Sequence, residues 1–129
     1  MTTEDYVSFE VAKLLKEKGF DENTPVTYFI GDDKPRGCVE GEMVYHKKSE
    51  SDIHLIACPT LQMAMKWLRE VHSYNIEIDT LGMMELNNLS WRSSVYYLVN
   101  ENECYCEHGF DSYEEACEAA IKYCLENLI

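Results

Sequence analysis

The sequence predicts an α+β fold: an antiparallel or mixed sheet packed against three helices, in the order α-β-β-(β)-α-β-β-β-α. Three observations carry this. Apolar residues recur with helical period in three separated segments, near the start, the middle and the end of the chain. Between them lie short runs rich in β-branched and aromatic residues, bounded by Gly, Pro, Asn and Asp. Strands and helices do not alternate strictly, which disfavours a doubly wound parallel sheet. The 129 residues suit a single domain, 1–129, with a hydrophobic core.

The first helix is expected over about residues 5–18. Val7, Val11, Leu14 and Leu15 fall on one face, and Lys13, Lys16 and Glu17 face water. Gly19 supplies a left-handed residue to stop it, and Phe20 is placed to fold back onto Leu15 in a Schellman stop. Residues 25–30 read as a strand, 31–37 as a turn or loop, and 38–46 as a second strand. A polar loop covers 47–52, and 53–57 is a short third strand.

Thr60 is expected to cap the second helix. Leu61, Ala64, Met65, Leu68 and Val71 form its apolar stripe, widened by Met63 and Trp67, so the helix should be covered on more than one side. Residues 76–79 alternate with period two and read as a strand, 80–90 as a loop, and 91–99 as the best strand of the chain. A tight connection over 100–103 leads to a hairpin partner over 104–108. The last helix starts at Asp111 or Ser112, where both Asp111-x-x-Glu114 and Ser112-x-x-Glu115 fit a capping box. Its stripe of Tyr113, Ala116, Cys117, Ala120, Ile121, Cys124 and Leu128 runs nearly to Ile129.

The stretches from Val7 to Phe20, from Pro59 to His72 and from Tyr113 to Leu128 resemble short uncharacterised acidic proteins of gut Bacteroidales genomes and their mobile elements. The resemblance spans the three helices, implies a bacterial and prophage-associated origin, and brings no site residues with it. Residues 60–129 also share the α-β-β-β-α order of double-stranded RNA-binding domains. Those domains use basic residues at the start of the last helix to reach phosphates. Here Asp111, Glu114 and Glu115 stand in those positions, so the layout is shared and the chemistry is reversed.

Charge narrows the function classes. Acidic residues number 24 against 11 basic ones, giving a net charge of −13. The excess is spread over both halves: residues 1–59 carry 12 acidic and 7 basic residues, and residues 60–129 carry 12 and 4. Such a surface repels phosphate backbones, so direct nucleic-acid binding is not expected, while basic protein surfaces are attracted. The start of the chain shows no export signal, and no apolar run reaches the roughly 20 residues of a membrane helix. A cytoplasmic protein with free thiols is therefore expected.

The candidate sites are few. Cys104, Cys106 and His108 alternate along one expected strand, so their side chains could converge as soft ligands for zinc. The spacing lacks the two intervening residues of a usual cysteine pair, and a fourth ligand is missing; small buried cysteines in a hairpin are the plainer reading. Cys58, two residues before a helix cap, is the best placed nucleophile, with His54 near it in sequence. Cys117 and Cys124 share a buried helix face, and Cys38 sits in an expected strand. His46 and His72 are isolated, and Asp32-Asp33 reads as a solvated turn. No Gly-rich phosphate loop occurs, and no cofactor is called for. Trp91, Tyr96 and Tyr97 offer aromatic surface, although Tyr96 and Tyr97 must point to opposite faces of a strand. The sequence thus points to a non-enzymatic interaction or regulatory protein with an acidic surface, including a nucleic-acid mimic. The alternative is a small enzyme or metal-binding protein using Cys58 or Cys104, Cys106 and His108.

Overall fold

The computed structural model describes residues 5–22, 24, 26–29, 35–37, 55–81 and 90–129. The elements follow in the order α1 (Phe9–Glu17), β1 (Val26–Phe29), β2 (Pro35–Gly37), β3 (Leu55–Ala57), α2 (Leu61–His72), β4 (Tyr74–Leu81), β5 (Ser90–Tyr97), β6 (Asn102–Phe110) and α3 (Tyr113–Tyr123). The fold is α+β, and both of its three-stranded sheets are antiparallel. The chain divides into two compact units, Met1–Gln62 and Met63–Ile129, with the boundary inside the first turn of α2. Among the described residues no helix is long and apolar enough to cross a membrane.

In the first unit the helix is shorter than the expected span because Ser8 caps it. The Ser8 hydroxyl accepts from the Val11 N–H at 3.2 Å, while residues before it stay extended. There the Val7 N–H donates to the Pro59 carbonyl at 3.1 Å and the Leu61 N–H to the Asp5 carbonyl at 2.9 Å. These bonds remove Asp5–Val7 from helical competition. The stop is the expected Schellman motif: Gly19 sits at φ +94°, Gly19 N–H donates to Lys16 O, and Phe20 N–H reaches Leu15 O at 2.9 Å. Phe20 is buried, as are Val7, Val11, Ala12, Leu15, Ile56 and Ala57.

The sheet of this unit has the order β2-β1-β3, with α1 lying near β3. Pro35–Gly37, expected as loop, pairs with Val26–Tyr28 as a strand, at the edge of the sheet among the described residues. Pro35 is the first residue of that strand, a position where proline is tolerated. The strand expected over 38–46 and the loop over 47–52 lie outside the described residues.

The second unit is a meander, β4-β5-β6, with α3 over one face. β4 is longer than the expected 76–79, and Thr80, Leu81 and Ser90, assigned to a loop by sequence, pair as strand, with Leu81 facing Ser90. β5 ends at Tyr97, two residues early, because the Glu101 N–H bonds the Tyr97 carbonyl at 2.7 Å and closes a turn over Leu98–Glu101. Glu101 takes φ +60° to complete it.

Ser112 caps α3, its hydroxyl accepting from Glu115 N–H at 3.1 Å, while the Glu115 carboxylate accepts from Asp111 N–H at 3.1 Å. This is a capping box whose return bond reaches one residue further back than usual. The helix widens into a π turn over Cys124–Leu128, and the Tyr74 hydroxyl donates to the Leu128 carbonyl at 3.3 Å. Val95, Ala116, Cys117, Ala120, Ile121, Cys124 and Leu125 are fully buried. On α2 the stripe is buried at Ala64, Met65, Trp67 and Leu68, but Val71, its expected last member, is 59% exposed.

Candidate functional site

The register of β4-β5-β6 sorts its residues onto two faces, because side chains alternate along each strand. Trp91, Val95, Tyr97, Tyr74 and Tyr105 share the helix-covered face. There Trp91 meets Tyr113 edge-on at 5.7 Å, Tyr105 stacks on Tyr123 at 4.4 Å, and Tyr74 lies against Tyr97 at 5.1 Å. Asn75, Glu77, Asp79, Arg92, Ser94, Tyr96, Glu103, Cys106 and His108 share the other. Glu77, Asp79, Glu103, Cys106 and His108 are exposed on it. Tyr96 and Tyr97 therefore part to opposite faces, as their adjacency requires.

Arg92 is the one Arg or Lys of the three strands. Its guanidinium faces Asp79 across the ladder and holds both carboxylate oxygens, with Nε to Oδ1 at 2.8 Å and Nη2 to Oδ2. That hydrogen bonding holds the Asp79 carboxyl below its ordinary pKa. Beside them Tyr96 stands close enough to Glu103 and Glu77 to feel their charge. Desolvation first, and then these two carboxylates, push its hydroxyl above its ordinary pKa. The open face is thus acidic, with its strand cation already engaged.

A β-bulge separates the metal candidates. Tyr105 faces Val95 and Glu103 faces Tyr96, so Cys104 is the extra residue between them. The bulge breaks the alternation that would have aligned Cys104 with Cys106 and His108. Cys104 lies within electrostatic reach of Cys124 and Tyr74, toward α3, and its thiol donates to the Asn102 carbonyl at 3.7 Å. Cys106 stays on the open face, accepting from the Ser94 hydroxyl at 3.7 Å, and His108 pairs in register with Arg92. Among the described residues no group of three His, Cys, Asp or Glu side chains can hold a metal ion.

Cys58 is fully buried and its thiol donates to the Val7 carbonyl at 3.5 Å, which closes it to a substrate. Cys117 and Cys124 are fully buried, and burial pushes the Cys124 thiol up to about 12. The His72 ring meets Trp67 edge-on at 4.7 Å, and its buried Nε2 has no hydrogen-bond partner among the described residues. Cys38, His46, His54 and Asp32-Asp33 lie outside the described residues.

Sequence reasoning missed the Arg92–Asp79 pair and a small apolar corner. That corner comprises Val71, Leu98 and Val99, which are 59%, 45% and 71% exposed. The signal for the pair is the register of 74–81 against 90–97, which sets Asp79 opposite Arg92 and which a loop over 80–90 conceals. No protein-family model, curated protein or solved structure matches the chain.

Proposed function

We propose that the chain is a non-enzymatic interaction module that docks an acidic surface onto a basic protein surface. The observation that supports it best is the open face of β4-β5-β6. This face exposes Glu77, Asp79 and Glu103, and its single Arg is spent on Asp79. Such a face draws a Lys- or Arg-rich partner by long-range attraction and repels phosphate backbones for the same reason. The buried state of Cys58 and the parting of Cys104 from Cys106 and His108 favour this reading over the enzyme or metal-protein alternative. In this proposal the chain works in a reducing cytoplasm, where Cys58, Cys117 and Cys124 serve as small apolar core residues.

The test immobilises the full chain and an E77Q/D79N/E103Q variant and exposes both to an extract of the source organism at graded sodium chloride. A basic protein held by the parent at physiological salt and lost from the triple variant supports the reading. Equal retention by both, or retention of acidic proteins, overturns it.

A further inference from the structure

The clearest departures of α2 and β5 from their sequence patterns meet at one place. The apolar stripe of α2 continues in the sequence through Val71, yet Val71 is 59% exposed. The apolar run of β5 continues in the sequence through Val99, yet the strand stops at Tyr97 and leaves Leu98 and Val99 in a turn, 45% and 71% exposed. The Leu98 N–H donates to the carbonyl of Ser73 at 2.8 Å. Ser73 directly follows α2, so the exposed end of the helical stripe and the exposed turn form one corner.

Isolated apolar residues on a surface are ordinary, but turns favour Gly, Asn, Asp and Ser, and here two exposed branched residues sit in a turn that is bonded to the end of a helix exposing a third. The corner is also held in shape. Glu101 N–H closes the turn onto Tyr97 O, and Asn102 N–H is bound by the Asn100 side chain at 3.0 Å. A partner meeting a fixed turn has little conformational entropy to remove.

The charge around the corner selects the partner. Glu70 and Glu101 flank it and both are exposed. Arg69 precedes Val71 by two residues, about 200° around the helix, and so lies on the far side. His72 is half-buried against Trp67. An apolar centre with a charged rim is the usual anatomy of a protein-binding surface. A second copy of this chain would bring another −13 charges to the same place, which disfavours self-association.

We infer that Val71, Leu98 and Val99 form the anchor point for a protein segment carrying at least one large apolar side chain flanked by Lys or Arg. This deepens the interaction reading and rests on it: the acidic face supplies attraction, and the corner supplies the apolar contact.

The probe is a phage-displayed library of random twelve-residue peptides, selected on the full chain. Each enriched peptide is then measured against the parent, V99D and V99S. V99D removes the apolar anchor while adding a negative charge, so it separates apolar contact from plain attraction. V71S is the second variant, and an unchanged melting temperature verifies that each variant folds. The expected result is enrichment of peptides with an apolar residue beside Lys or Arg, and at least a tenfold loss of affinity in all three variants. Enriched basic peptides that bind V99D as well as the parent would overturn the anchor while leaving the acidic-face reading intact. No enrichment over V99D, enrichment of acidic peptides, or a dimer of the parent that V99D dissolves would also overturn it.

Discussion

The Tyr105 ring stacks on Tyr123 with centroids 4.4 Å apart and planes 28° from parallel, joining β6 to the end of α3. Such aromatic pairs contribute beyond the area they bury, by about 0.5–1.5 kcal/mol. A double-mutant cycle with Tyr105→Ala and Tyr123→Ala should return a coupling energy of that size in urea unfolding. Additive single effects would mean that the stack carries no energy of its own.

Trp67 is 8% exposed and meets His72 edge-on. Trp67→Ala should destabilise the protein by about 3–5 kcal/mol through lost burial and a residual cavity. The denaturant midpoint measures this, and a near-neutral effect would contradict the burial of that face of α2.

The Cys124 thiol gives a pH prediction with a definite sign. Its pKa rises from 9.0 in the unfolded chain to about 12 in the fold, chiefly through burial and then through the nearby Cys104. Above pH 9 the unfolded state loses this proton while the folded state keeps it. Folding stability from this group is therefore full below pH 9 and is lost as pH rises from 9 toward 12. Tyr74 and Tyr105, also raised by burial, act in the same direction above pH 10. Stability measured between pH 8 and 11 should fall, and Cys124→Ala should flatten the slope. An unchanged slope in that variant would contradict the assignment.

At −13 the folded chain repels itself, and salt at 0.1 M screens charges over about 10 Å. Moderate sodium chloride should raise the melting temperature, and a fall would mean that attractive pairs dominate the surface. Duplex RNA should show no measurable affinity at physiological salt, despite the α-β-β-β-α order of residues 60–129. Micromolar binding that weakens steeply with salt would overturn this.

Local signals were the most legible in the sequence. The Gly19–Phe20 stop and the Ser112 cap each depend on a few neighbouring residues, and both stand where their chemistry places them. The element order was legible for the same reason. The bulge at Cys104 was not, because it is a property of how β6 pairs with β5, and nothing in the order Cys104, Tyr105, Cys106 announces an extra residue. That hidden shift parts Cys104 from Cys106 and His108. The exposure of Val71, Leu98 and Val99 was equally hidden. Apolar periodicity marks what is fit to be covered, and it is silent on whether the cover is the chain itself or a partner.

The proposed docking of a basic partner on the open face of β4-β5-β6 can be tested at the level of single carboxylates. Zero-length carbodiimide crosslinking between this chain and the basic protein it retains reports directly on that face, because it joins only carboxylates already touching a lysine. Crosslinks are expected at Glu77 and Glu103, with Asp79 protected in part by Arg92. Crosslinks confined to Glu114, Glu115 and Glu118 of α3, or to Glu10 and Glu17 of α1, would contradict it.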